Sequence, residues 1–175
     1  IKRSILFGKL NSFLYKSIEG ATVFCKMRGN PYVELVHWIN QIAQARDSDF
    51  HRILQHFEID MSRLAADLTR ALEELPRGAT SISDFSPHLE ESVERAWVYA
   101  TLMFEANAIR SGHLVYGILA TPSLRHVLAG VSAAFAKIKT DELAERFGDI
   151  CGGSPEDRLE TRDRAAGGRP GGGVA

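Results

Sequence analysis

The sequence predicts an all-α fold made from two copies of one helical unit, and three observations carry that prediction. Val33-Glu34-Leu35-Val36-His37-Trp38-Ile39 is echoed by Ile109-Arg110-Ser111-Gly112-His113-Leu114-Val115, with His37 and His113 in register. Further on, Asp49-Phe50-His51-Arg52-Ile53-Leu54 is echoed by Ser123-Leu124-Arg125-His126-Val127-Leu128 at nearly the same separation. Elsewhere apolar residues recur at three- and four-residue intervals, and no stretch alternates with period two for long enough to make a strand. A repeat of this length seen only twice implies two four-helix units around one core rather than a long solenoid. The units are expected at about 9–78 and about 85–148.

The first helix is expected from Lys9 to Met27, where Leu10, Phe13, Leu14, Ile18, Ala21 and Cys25 line one face. Gly29-Asn30-Pro31 ends it, because glycine suits a left-handed cap and proline can open the next helix. A second helix follows from about Tyr32 to Ala43. Asp47-Ser48-Asp49 offers N-caps for a short helix through about His56, and Asp60 for one that Leu75-Pro76-Arg77-Gly78 stops. Ala79 to Asp84 is a polar connector. Ser86-Pro87 then starts a long helix, with Glu90 and Glu91 near its positive end and Leu89, Val93, Ala96, Trp97, Ala100 and Phe104 on its apolar face. Ser111-Gly112-His113 opens a sixth helix, Thr121-Pro122 a seventh, and an eighth is expected between about Ser132 and Phe147. The domain is therefore expected over 1–150. From 151 to 175 the glycine-rich, charged composition has too little apolar surface to offset its ordering entropy and predicts a flexible linker.

With 175 residues, 45% hydrophobic and 25% charged, and a net charge of −1, the chain has an ordinary globular composition that calls for neither nucleic acid nor membrane. The charge is uneven. Ile1 to Arg28 carries Lys2, Arg3, Lys9, Lys16, Lys26 and Arg28 against Glu19, about +5, which either steers an acidic partner or is a solvated helix face. Cys25 and Cys151 are far apart, and Cys25 lies in an apolar stripe. Buried reduced thiols are expected, which favours a cytoplasmic location. No apolar run reaches membrane-spanning length, and the start at Ile1 suggests a fragment or processed chain.

No catalytic constellation is legible. There is no G-x-x-x-x-G-K-[ST] loop to cradle phosphates and no H-E-x-x-H pair, and His51 and His56 fall off a common helix face. No metal site is expected. His37 and His113 recur early in the second helix of each unit, where an imidazole can bond backbone at a helix end, so a shared structural task is the better reading. Cys25 on an apolar face is a poor nucleophile. Glu90, Glu91 and Glu94 read as surface groups at a helix start.

The opening segment is more suggestive of binding. Ile5-Leu6-Phe7, flanked by Lys2, Arg3 and Lys9, is surplus to the four-helix unit. It either packs as plain core or forms an extra arm that leaves a groove beside the first helix, with Phe85 nearby. In the groove reading Ile5, Leu6, Phe7, Leu10, Phe13, Leu14 and Phe85 are the apolar walls and Lys9 and Lys16 the rim charges.

Leu6-Phe7-Gly8-Lys9-Leu10-Asn11, Arg28-Gly29-Asn30-Pro31-Tyr32 through Trp38, Leu75-Pro76-Arg77-Gly78, Val93-Glu94-Arg95-Ala96-Trp97 and Ile109 through Leu114 resemble the double Clp N-terminal domain, in particular that of the type VI secretion ATPases. The likeness spans Ile5 to Ile150. It implies the substrate-recognition module of a cytoplasmic AAA+ unfoldase. The partner it implies is an amphipathic helix near the N-terminus of the large subunit (VipB, also called TssC) of the contracted secretion sheath, which the ATPase dismantles for reuse. It also implies that ATP, magnesium and hexamer formation belong to ATPase modules outside this chain, that the chain alone is a monomer without cofactor or catalysis, and that nucleic acid and membrane are not partners. The alternative is a general chaperone-type Clp N-domain for adaptors or unfolded clients.

Overall fold

The computed structural model describes residues 1–161; the part of the expected linker at 162–175 lies outside the described residues. In chain order the helices are α1 (Arg3–Phe7), α2 (Ser12–Arg28), α3 (Leu35–Ala43), α4 (Asp49–His56), α5 (Met61–Glu73), α6 (Pro87–Leu102), α7 (Ser111–Ala120), α8 (Pro122–Val131), α9 (Thr140–Glu145) and α10 (Phe147–Cys151). The all-α expectation holds. Two two-residue strands, β1 (Tyr32–Val33) and β2 (Asp84–Phe85), pair in parallel, and two isolated bridges join Leu10 to Ile109 and Asn11 to Thr161.

The repeat is visible side chain by side chain. Asn11 and Ser86 occupy twin N-caps: Asn11 Oδ1 accepts from the Leu14 N–H at 2.9 Å, and Ser86 Oγ from the Leu89 N–H at 3.2 Å. One turn on, Ser17 and Ser92 are both buried and donate back to the carbonyls of Leu14 and Leu89. Leu14, Ile18, Ala21 and Cys25 on α2, and Leu89, Val93, Ala96 and Ala100 on α6, fill the same face of the core. α2 ends in Gly29, whose φ of 70° is the left-handed turn that glycine adopts without strain.

Crosswise pairing joins the two units. Phe85, just before α6, lies beside Val33, just before α3, and Leu10, just before α2, lies beside Ile109, just before α7. The Ser86 N–H donates to Val33, the Asn11 N–H to Ile109, and the Ile109 N–H to Lys9. Each unit thus completes the other, and one hydrophobic core runs through both.

His37 and His113 do the same job at the third position of α3 and α7. Each Nδ1 accepts from the backbone N–H of the cap residue of its own helix, Glu34 at 2.8 Å and Arg110 at 3.0 Å. That fixes the proton on Nε2, which in His37 donates to Asn30 Oδ1 at 2.9 Å. Burial, reinforced by Arg28 for His37, lowers both imidazoles to about 4.

The sequence expectations need correction at four places. The first repeat helix starts at Ser12 rather than Lys9, because Leu10 and Asn11 leave helical geometry to pair with Ile109 and Thr161; Ile5-Leu6-Phe7 belongs to the separate short helix α1 before it. The second helix begins at Leu35 rather than near Tyr32, because Tyr32 and Val33 form β1. The eighth helix is broken into a 3₁₀ turn at Ala133–Lys137, α9 and α10, with Ser132 and Lys139 extended at the breaks. The linker does not begin at 151: Cys151, Ser154 and Glu156 are buried, and a 3₁₀ turn at Pro155–Arg158 is bonded into the core. Polar side chains, not apolar ones, hold that segment, so its composition concealed it.

Candidate partner groove

An open furrow of about 510 Å3 lies between α1 and α2, closed at its base by Phe85. From α1 and its end come Arg3, Ser4, Phe7 and Gly8; from α2 come Tyr15, Ile18, Glu19 and Thr22. The α2 residues are spaced i, i+3, i+4 and i+7, a stripe beside the buried face of that helix. Phe7 and Phe85 meet with ring centroids 5.4 Å apart at 60° and make the aromatic floor.

Charge fixes the α1 wall. The Arg3 guanidinium lies 5.2 Å from the Phe85 ring centroid, pairs with Asp84 at 2.9 Å and is also bonded to Glu90. These carboxylates raise the Arg3 pKa, chiefly through the Glu90 hydrogen bond. Because the site is half exposed, the pairs orient α1 more than they stabilise the fold. Phe85 also belongs to the β1–β2 pair, so the floor is tied to the junction of the repeats.

Only Phe7 and Phe85 of the expected wall residues line this furrow. Leu10 and Leu14 are 0% exposed and belong to the core, where the crosswise pair and the inward face of α2 place them; they cannot offer surface to a visitor. Leu6, buried as deeply as Phe7, is outside the furrow's lining. Phe13 packs partly buried against the core and does not line the furrow, while Ile5 is 56% exposed and also outside its lining. Lys9 places its ammonium 5.3 Å from the Trp97 ring centroid and borders a separate cavity of about 570 Å3 with Asn107, Ala108 and Leu159–Thr161. Lys16 is exposed but not among the lining residues.

Arg3, Ser4, Gly8, Tyr15, Ile18, Glu19 and Thr22 line the furrow although the sequence does not single them out as walls. The helical stripe of the last four was readable, but tyrosine, glutamate and threonine do not announce an apolar wall. Among the described residues no group of three or more His, Cys, Asp or Glu side chains is placed to hold a metal. Burial pushes the Cys25 thiol up to about 11, and the Cys151 thiol is raised further by the same cause. Among those residues no single helix is long and apolar enough to cross a membrane.

Twin helical units joined crosswise, with a furrow at the leading end, define a known class: residues 9–141 match the family described as the Clp repeat (R) N-terminal domain, and the chain belongs to it. Among its relatives, the AAA+ ATPase ClpV1 of Pseudomonas aeruginosa is 61% identical over 163 residues, 93% of this chain and 18% of that protein. The chain therefore spans under a fifth of that relative's length. A solved structure from work on the coevolution of the ATPase ClpV, the TssB-TssC sheath and the accessory HsiE protein is 63% identical, with a TM-score of 0.87 over 89% of this chain and 96% of that one. A complex of a ClpV N-domain with a VipB peptide shares the fold at 24% identity, with a TM-score of 0.75 over 86% of this chain and 91% of that one.

Proposed function

We propose that this chain is the substrate-recognition domain of a ClpV-like AAA+ ATPase, and that its α1–α2 furrow receives the amphipathic helix near the N-terminus of the sheath subunit VipB/TssC. The observation that carries the reading is the furrow itself: an aromatic floor and an i, i+3, i+4, i+7 wall suit a helix that inserts a few apolar anchors. A related ClpV N-domain taken up with a VipB peptide supports the choice of partner. In this reading ATP hydrolysis, ring assembly and sheath disassembly in the cytoplasm belong to the part of the relatives beyond this chain.

For one isolated domain we expect a Kd on the order of 1 μM, near 8 kcal/mol. Calorimetry with a synthetic sheath helix tests it. Thr22→Arg and Phe85→Asp each weaken binding tenfold or more, about 1.4 kcal/mol, and Thr22→Arg does so without lowering the melting temperature. Leu14→Asp is unsuited because it places a charge in the core. Unchanged affinity in both variants sinks the groove assignment. Equal affinity for unfolded polypeptides would favour the general chaperone alternative.

A further inference from the structure

Gly152–Thr161 lies beyond the expected domain end, yet it contains one of the most thoroughly satisfied side chains in the molecule. Glu156 is 2% exposed. Its Oε1 accepts from Asn11 Nδ2 at 3.0 Å and from the Ser111 N–H at 2.7 Å, and its Oε2 accepts from the Asp49 N–H at 2.8 Å and from Ser111 Oγ. Asp49 and Ser111 are the first residues of α4 and α7, whose leading N–H groups have no partner within their own helices. Four donors drawn from both repeats therefore converge on one carboxylate, and the carboxylate is supplied by the chain's own C-terminal segment.

Neighbouring contacts seat the segment on either side. Ser154 Oγ donates to Asp49 Oδ1 at 2.7 Å and accepts from the Glu156 N–H. Arg110 bonds both oxygens of Asp49, at 2.7 and 2.8 Å, and reaches Asp157 at 2.8 Å. Arg52 donates to the Gly152 carbonyl at 3.0 Å. At the far end the Ser12 N–H donates to the Glu160 carbonyl at 2.9 Å, and Asn11 pairs with Thr161. Asn11 thus has two tasks: its Oδ1 caps α2, the helix that walls the furrow, while its Nδ2 holds Glu156.

We propose that residues 152–161 are a latch: Glu156 is an intramolecular carboxylate ligand in a receptor shared by both repeats, and its seating holds the N-terminal end of α2 and hence the furrow wall. Thr161, the last described residue, lies beside Asn11 and borders one cavity with Gly8 and Lys9, and Gly8 also lines the furrow, so the latch ends at the furrow's edge. Its effect on partner binding rests on the helix-in-groove reading; its effect on the fold does not.

Hydrogen exchange on the full chain without partner tests the fold half. In Glu156→Ala the amides of Ser111, Asp49, Ser12 and Leu14 exchange tenfold faster or more, while those in the middle of α8 keep their protection. Sodium formate or acetate, which can fill the vacated carboxylate position, restores protection saturably, and sodium chloride at equal ionic strength does not. Should Glu156→Ala fail to fold, Glu156→Gln is read instead. It keeps the shape but turns an amide NH2 toward two of the donors, so the same amides lose protection. Wild-type exchange at Ser111 and Asp49 in whichever variant folds overturns the receptor. Loss of protection there with Ser12, Leu14 and sheath-helix affinity all unchanged in Glu156→Gln overturns the coupling to α2. A wild-type chain that binds no sheath helix condemns the partner reading and leaves the exchange result standing.

Discussion

The two repeats solve the same packing problem with glycines on opposite sides. In repeat one the α2–α3 crossing has its glycine on the first helix: a Cβ at Gly20 would meet Gln41 Oε1 at 2.7 Å. In repeat two the α6–α7 crossing has it on the second: a Cβ at Gly117 would meet the Ala96 backbone at 2.9 Å. The caps, buried serines and imidazoles coincide, while the side chains around them have diverged. Trp38 donates to Ser17 Oγ at 2.9 Å where repeat two has Leu114. His37 leans on Asn30, whereas His113 stacks on Phe147 at 4.9 Å between centroids. What the duplication preserved is the start of the first two helices of each repeat; what varied is how the core beyond them is filled.

The same comparison explains why the furrow occurs once. Tyr15, Ile18, Glu19 and Thr22 on α2 have Glu90, Val93, Glu94 and Trp97 as their counterparts on α6. On α6 that stripe is already engaged by the leading segment: Arg3 bonds Glu90, Lys9 lies over Trp97, and α1 packs against α6. The leading segment engages Glu90 and Trp97 of the repeat-two stripe, leaving Glu94 exposed, and leaves the repeat-one stripe open.

Acid should give the largest effect, because both repeats contribute to it equally. Each imidazole has a folded pKa of about 4, below the ordinary 6.5, so it stays neutral in the fold while the unfolded chain takes up a proton first. The stability these two sites retain above about pH 6.5 is lost as pH falls toward 4, at about 1.4 kcal/mol per pH unit for each histidine. Urea unfolding across that range measures the slope. His37→Gln and His113→Gln should each remove one histidine's share; if one leaves the slope intact, the twin sites are not equivalent.

The glycines should come next, with opposite outcomes. Gly117→Ala drives a methyl into backbone that cannot yield and should cost about 1–3 kcal/mol. At Gly20 the obstacle is the far end of a flexible glutamine. Alanine's better helix propensity, roughly 0.5–1 kcal/mol, then offsets the small shift, and Gly20→Ala should be neutral or stabilising. Equal losses in thermal unfolding would show that the two crossings are the same after all.

These contrasts also show what the sequence could and could not convey. Helix starts were legible because caps are local: Ser48, Asp60, Ser86 and Pro87 each sit where their chemistry is used. The paired histidines were legible as structural because they repeat. The crosswise pairing that takes Leu10 out of a helix depends on Ile109, nearly a hundred residues away, and no local pattern records it. The same holds for the latch, since Glu156 in a glycine-rich charged run looks solvated until its four donors from three distant segments are assembled. The residues expected to wall a groove divide between core and furrow for a related reason. The core takes Leu10 and Leu14, whereas the α2 side of a furrow open to water is lined mostly by the amphipathic residues Tyr15, Glu19 and Thr22, together with the buried Ile18.

The smallest expected effect separates two caps that look alike. Ser86→Ala removes one side-chain acceptor from the start of α6 and should cost about 1 kcal/mol. Asn11→Ser keeps an acceptor for the Leu14 N–H, so by the cap alone it should be nearly neutral, a few tenths of a kcal/mol at most. Serine is too short, however, to reach Glu156 with a second donor, and a buried carboxylate left with three donors in place of four is less well compensated. A loss in Asn11→Ser approaching that of Ser86→Ala would therefore measure the bond from α2 to the C-terminal segment. A loss near zero would make Asn11 an ordinary cap, no different in kind from its twin.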